Sequence, residues 1–265
     1  MELLISLLLG AAAPAAVAGP VERWIVHGDE QQCSLVRRNS QPKPVTFALR
    51  VTPGTPDAEL LVMAEAIGLR ELRSVDNLKL VVQPSGSQVT GIHQTRSVAG
   101  GRALSVAAQR EDALPQLLAG SRLEVLLQGK TLAGIAVPGI RAALQALKGC
   151  EDAALADWGV DLAQRARLRK PAEPLQILAS YAYDTDYPAA ALRASESGNS
   201  VVRMTVGVDG QVTACVTVAS SGSKSLDDAT CSIFTRRARF SPAIGADGRP
   251  TVDTHIARLR WRVES

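Results

Sequence analysis

The strongest constraint on the fold is a run of alternating side chains at residues 200–220, SVVRMTVGVDGQVTACVTVAS. The apolar side chains that share one face of an extended chain here are Val202, Met204, Val206 and Val208. Arg203 and Thr205 fall on the opposite face, and this period of two is typical of a half-buried strand. Asp209-Gly210 predicts a two-residue type I′ turn, because both residue types accept positive φ. The run therefore predicts a β-hairpin.

The residues after this hairpin predict a helix and then a closing strand. SSGS breaks the chain, and LDDATCSIFTRRARF has acidic residues at its start and arginines near its end, which suits the helix dipole. Ser223 or Ser225 is predicted to cap this helix. The side chains predicted to face the sheet recur at helical spacing and are Cys231, Phe234 and Ala238. With a short helix at 188–194 and a last strand in TVDTHIARLRWRV, the order is α-β-β-α-β.

The first part of the chain predicts a β-rich domain. Short apolar runs are separated by Gly, Pro, Ser and Asn, a pattern typical of successive strands. These runs begin at Trp24, Cys33, Val45, Leu78, Arg102, Ser121 and Lys130. Helical spacing in GIRAALQALKGCEDAALADWG predicts a helix after Pro138, with Gly149 as a stop. The fold class is therefore α+β, with a β-rich domain at 19–164, a polar, proline-broken linker at 165–174 and a second domain at 175–265.

Residues 1–18 are predicted to be a signal peptide. The apolar run ends in Ala16-Val17-Ala18, which suits cleavage after Ala18, and it is shorter than the roughly 20 residues that span a bilayer. The segment before the run has Glu2 and no basic residue, so either the signal is atypical or the true start lies upstream. A buried N-terminal helix and an uncleaved inner-membrane anchor are the alternatives. The expected location is the periplasm.

Export makes the four cysteines candidates for disulfide bonds. Of the three possible pairings we predict Cys33–Cys150 with Cys215–Cys231, which keeps each bridge within one domain. Simple alternation places Cys215 on the face away from the helix, so the second bridge requires a β-bulge near Thr213–Ala214. The sequence has no C-x-x-C and its histidines are isolated, so no metal and no cofactor is expected.

Several pieces of the second domain together resemble the C-terminal domain of TonB-family energy transducers. These pieces are YPAAAL from Tyr187, VVRMTV, VDGQVT, SSGSKSLDDA and RARFSPA, in this order and spacing. The resemblance covers roughly Leu175 to Val263, and the individual motifs are specific only as a set.

This resemblance implies a periplasmic domain that binds the TonB-box peptide of an outer-membrane TonB-dependent receptor during energised transmembrane transport. The last strand corresponds to an edge strand that accepts the peptide by β-augmentation. The residues implied in partner binding are Tyr183, Asp184, Thr185, Asp186, Thr254, Ile256, Arg258 and Arg260. The alternative for Arg258, Arg260 and Arg262 is that they keep an exposed strand soluble.

The N-terminal part departs from the family pattern. Transducers carry an N-terminal helix with a Ser and a His that engage inner-membrane motor proteins, followed by a proline-rich spacer. Here Ser6 has no histidine partner, and a folded domain takes the place of the spacer. Motor proteins are therefore the less supported partner, and the alternative is a soluble exported scaffold without force transduction. The role of the N-terminal domain is not predicted.

Other chemistry has weak support in the sequence. A net charge of +3 and an aromatic content of 3% speak against nucleic-acid binding. Ser221 and Lys224 match S-x-x-K, but its companion motifs are absent. Asp184 and Asp186 could form a carboxylate pair, and His27 could join a hydrolase site in the N-terminal domain. We expect no enzyme activity and no small-molecule substrate.

Overall fold

A computed structural model describes residues 23–39, 44–64, 78–98 and 101–263. The predicted signal peptide lies outside the described residues. The strands of the N-terminal domain are β1 (Ile25–Gly28), β2 (Cys33–Arg38), β3 (Val45–Val51), β4 (Asp57–Ala64), β5 (Leu78–Gln83), β6 (Ser87–Gln88), β7 (Ile92–Val98), β8 (Gly101–Gln109), β9 (Arg122–Leu127) and β10 (Lys130–Ala136). The helices in this part of the chain are α1 (Arg110–Ala119), α2 (Ile140–Asp157) and α3 (Leu162–Ala166).

The N-terminal domain consists of two antiparallel sheets with one shared core. The six-stranded sheet has the order β1-β2-β3-β4-β8-β7, and the four-stranded sheet has the order β10-β9-β5-β6. Side chains at alternate positions of both sheets, such as Phe47 and Leu80, are fully buried in this core together with Leu117 of α1 and Leu147 of α2. The predicted α+β class with a β-rich first domain is confirmed.

Two details of the N-terminal prediction need correction. Gly149 does not end the helix, because α2 continues from Ile140 to Asp157. Glycine costs about 1 kcal/mol relative to alanine inside a helix, and the buried side chains on both sides of Gly149, Leu147 and Leu155, outweigh that cost. The strands β4 and β7 and the helix α1 have no counterpart among the predicted elements.

The C-terminal domain has the predicted order around a three-stranded sheet. Its strands are β11 (Glu173–Pro174), β12 (Gly198–Val206), β13 (Val212–Ala219), β14 (Phe240–Ser241), β15 (Ala243–Ile244), β16 (Pro250–Thr251) and β17 (Asp253–Trp261). Its helices are α4 (Ala189–Arg193) and α5 (Lys224–Arg237). The main sheet has the order β13-β12-β17, with all pairs antiparallel. Phe234 of α5 packs on one face of it, against Met204 and Leu259.

The hairpin turn differs from the predicted two-residue type I′ turn. Gly207 N–H donates to the Gln211 carbonyl, so Val208, Asp209 and Gly210 form a three-residue loop. Gly210 has a φ of 76°, whereas Asp209 does not have a positive φ. The Asp209 carboxylate instead accepts from Gln211 N–H at 3.0 Å, which stabilises the turn without a second left-handed residue. Val208, predicted to be buried, is 54% exposed in this loop.

A bulge in β13 brings the second pair of cysteines together, as predicted. Thr205 pairs with Ala214 and Val206 pairs with Val212, which leaves Thr213 as the extra residue. Beyond the bulge Cys215 pairs with Met204 and so shares its face, towards α5. The bond Cys215–Cys231 is formed, and so is Cys33–Cys150. Both predicted pairings are confirmed.

The second face of the C-terminal sheet is covered by the N-terminal domain. Leu155 and Val160 form one apolar cluster with Val201, Ala219 and Ile256 of the sheet. Ile256 is only 1% exposed. The two domains therefore share a small core of their own.

The predicted linker at 165–174 is attached to the C-terminal domain by backbone hydrogen bonds. Arg169 and Lys170 N–H both donate to the Ile244 carbonyl, at 2.9 and 3.3 Å. Ala172 is buried, and its N–H donates to Asp253 Oδ2 at 2.9 Å. The domain boundaries themselves remain predictions.

Candidate functional site

The outer side of β17 is the open edge of the main sheet, since no strand among the described residues pairs with it. Thr254 shows which backbone groups point there. Its carbonyl accepts from Arg165 Nη1 at 3.2 Å, and its N–H donates to Asp253 Oδ1 at 2.7 Å, so neither group serves the ladder with β12. Because peptide groups alternate in direction along a strand, Ile256 and Arg258 also turn their N–H and C=O outward.

The side of β12 that faces β13 gives an independent check of this direction. The Thr205 carbonyl accepts from Thr213 Oγ1 at 3.2 Å and so points towards β13. Thr205 lies opposite Thr254 in the ladder, so Thr254 has no bond to it and must point away from β12. Within the described part of the chain, the outward N–H and C=O of Ile256 and Arg258 have no hydrogen-bond partner. They form a short template for another strand.

The segment predicted to lie near a bound peptide, 183–186, is held by Arg237 at the end of α5. Arg237 binds both carboxylate oxygens of Asp186, at 2.5 and 2.8 Å, and donates to the Tyr181 carbonyl at 2.9 Å. Its guanidinium carbon lies 4.7 Å from the centre of the Tyr183 ring. The bond from Arg237 holds the pKa of Asp186 below its usual value. The segment is therefore fixed, not a free loop.

This segment and the tyrosines that flank it form one wall of the site, on the α5 side of β17. Tyr181 and Tyr187 share an apolar cluster with Leu259 and Trp261, which lie on the α5 side of β17. The rings of Tyr187 and Trp261 meet edge to face at 5.1 Å. Tyr183 itself is 58% exposed, and Asp184 and Thr185 are also exposed. The tyrosines that flank the segment therefore cover the α5 side of β17.

The N-terminal domain forms the opposite wall. Ile256 is buried against Leu155, so its side chain is not available to a partner, whereas its backbone is. Arg258 Nη1 lies 3.3 Å from Thr52 Oγ1, and its Nη2 lies 3.8 Å from Asp57 Oδ2. Arg258 therefore contacts the neighbouring domain. The sequence predicted either a receptor contact or a solubilising role for this residue, and neither included a contact between domains. Arg260, the last of the predicted partner residues, is exposed on the same side of β17.

Arg165 is the part of this site that sequence analysis misses. It belongs to the predicted linker, and its bond to Thr254 joins residues far apart in sequence. His255 lies beside it, half-buried, with its ring 5.0 Å from the ring of Phe240. Burial, together with the positive charge of Arg165, lowers the pKa of His255 from its usual 6.5 to about 4.

Replacing Arg165 should therefore raise the pKa of His255. Arg165→Met removes a positive charge that opposes protonation of the imidazole, so a proton is bound at higher pH than in the wild type. An NMR titration of the His255 ring measures this shift. Arg167→Met, which removes a charge from the exposed end of the same helix, serves as the control and should leave the titration unchanged. Equal His255 pKa values in all three proteins would contradict the placement of Arg165.

The alternative catalytic groups are not assembled. Lys224 Nζ pairs with Asp228 Oδ2 at 2.6 Å, and the Ser221 hydroxyl donates to the Ser223 carbonyl at 3.1 Å, so Lys224 does not activate Ser221. Asp186 is occupied by Arg237, which leaves Asp184 without a paired carboxylate. The His27 side chain is exposed on β1. In the described ranges, potential metal ligands do not gather in groups of three or more.

A comparison with protein families identifies the C-terminal part of the chain. Residues 184–263 match the family described as Gram-negative bacterial TonB protein C-terminal. The matched residues include the hairpin, α5 and β17, and the C-terminal domain is thus a TonB C-terminal-like domain. This is a family of binding and energy-transduction domains, not of enzymes. No curated protein matches the chain. Across the described residues, none of the helices has the length and apolarity needed to cross a membrane.

Proposed function

We propose that this protein binds the TonB-box peptide of an outer-membrane TonB-dependent receptor, and that the peptide adds as a strand to the outer edge of β17. The open backbone groups of Ile256 and Arg258 are the observation that carries the proposal. Main-chain hydrogen bonds would supply the affinity, and side chains alternating between the two walls would supply the specificity.

The proposed location is the periplasm, where the protein contributes to energised transport through the receptor. Two disulfide bonds within the described residues favour an oxidising compartment. The family match favours the envelope of Gram-negative bacteria. Segment 183–186 and β17 would supply the partner contacts, with Tyr183 on one wall and Arg258 on the other.

A proline at Arg258 tests the edge directly. Arg258→Pro removes an N–H that points outward and leaves the ladder with β12 intact, which edge strands tolerate. We expect about a tenfold loss of affinity for a synthetic TonB-box peptide, from one lost hydrogen bond and the bulk of the ring. Isothermal titration calorimetry on the full chain measures this loss.

Arg258→Ala is the matched control, because it removes the same side chain and keeps the N–H. Its loss of affinity should be several-fold smaller than that of Arg258→Pro, since the backbone bond remains. Equal affinities of the proline and alanine variants would place the peptide elsewhere on the protein. A wild-type protein that does not bind even at millimolar peptide would favour the exported scaffold without force transduction.

A further inference from the structure

The open edge of β17 is closed at one end by the helix α3. Arg165 Nη1 donates to the Thr254 carbonyl at 3.2 Å, and Gln164 Nε2 donates to the Val252 carbonyl at 3.4 Å. Both carbonyls lie at the start of β17 or just before it. Two side chains of α3 thus occupy the positions that the backbone N–H groups of an added strand would otherwise take.

The position of α3 is set by the packing between the two domains. Val160 is buried in the cluster that contains Ile256, and Leu162 of α3 packs against the same cluster. Asp161 accepts from Gln164 N–H at 2.8 Å and caps the helix. The Arg165 side chain is itself half-buried, so its guanidinium is held at the edge and not free in solvent. Its place follows from the fold of the N-terminal domain.

We propose that Arg165 sets the register of the added strand, by ending its pairing at Ile256. This inference rests on the proposed function. A partner strand can pair with the outward groups of Ile256 and Arg258, and it must leave the sheet at α3. Arg165 acts as a positioning residue, since it defines the boundary without contributing to the paired stretch.

Register matters because the two walls of the site differ. A shift of one residue moves every side chain of a strand to the other face. In one register a given partner side chain lies on the α5 side of β17, and in the next it lies beside Arg258 and the loop that holds Thr52. A fixed end point therefore determines which side chains of the partner contact the α5 side of β17 and which contact the N-terminal domain. The matching partner is a short extended peptide, not a long strand.

A peptide-length series tests this inference. Synthetic TonB-box peptides with blocked ends are shortened one residue at a time from each end, and the Kd of each is measured with the full chain. For the wild type, residues that extend past Ile256 towards α3 should change the Kd by less than about twofold. In Arg165→Met the same residues should improve the Kd by about two- to twelvefold, the worth of one hydrogen bond to the released Thr254 carbonyl.

Arg167→Met is the matched control for the loss of charge, and it should reproduce the wild-type length profile. Arg165→Lys keeps a donor at this position and should also keep the boundary, which separates donation from packing. If every protein binds and all length profiles coincide, the inference is wrong and the proposed function stands. If no protein binds any peptide, both are overturned.

Discussion

Replacing Cys33 and Cys150 together with alanine is expected to lower the free energy of unfolding by about 5 kcal/mol. The bond joins residues separated by 117 positions, so its loss frees a long loop in the unfolded chain. It also ties α2 to β2, and α2 carries Leu155, one of the residues that cover the C-terminal sheet. Urea denaturation of both oxidised proteins, followed by circular dichroism, measures the difference.

The Cys215–Cys231 bond provides the comparison, because its separation is only 16 positions. Alanine at both of these residues should cost about 3 kcal/mol by the same loop-closure reasoning. An equal or larger loss for the short loop than for the long one would show that strain or packing, and not chain entropy, determines the effect of these bonds.

Ile256→Asp should separate the unfolding of the two domains. Ile256 is buried between Leu155 and Val160, so the variant loses its apolar contacts and buries a carboxylate in their place. We expect a loss of at least about 3 kcal/mol. Each domain keeps its own core, around Phe47 and around Phe234, so calorimetry should show two transitions for the variant and one for the wild type.

Val252→Asp controls for the added charge. Val252 lies just before β17 and is 43% exposed, so its carboxylate stays in solvent. The free energy of unfolding of Val252→Asp should remain within about 0.5 kcal/mol of the wild-type value. A single transition at the wild-type temperature in Ile256→Asp would mean that contacts other than the shared cluster couple the domains.

Local pattern was sufficient to predict the C-terminal domain. Alternation in β12, the serine cap of α5 and the spacing of Phe234 and Ala238 each agree with the structure. The turn at Asp209-Gly210 was predicted in the right place but of the wrong type, because loop length depends on the register of both strands. In the N-terminal domain β4 was not predicted, because the residues of AELLVMA suit a helix as well as a strand.

The site was only partly predictable, for a different reason. The family resemblance named β17 and segment 183–186 and said nothing of a second domain beside them. The contacts of Arg165 with Thr254 and of Arg258 with Thr52 join residues 89 and 206 positions apart. No local period encodes such contacts. They follow from the packing of Leu155 and Val160 on the sheet.

The shared cluster under the sheet also bears on mechanics. Hydrogen bonds between antiparallel strands run perpendicular to the strands, so tension along a peptide added to β17 would load all of them together in shear. From β17 the load passes to β12 through the nine residue pairs of their ladder. It also passes to the N-terminal domain, through the packing of Ile256 and the hydrogen bond of Arg203. The covalent connection at 165–174 then runs in parallel with this path, and a cut there would leave the two domains joined by a second mechanical route.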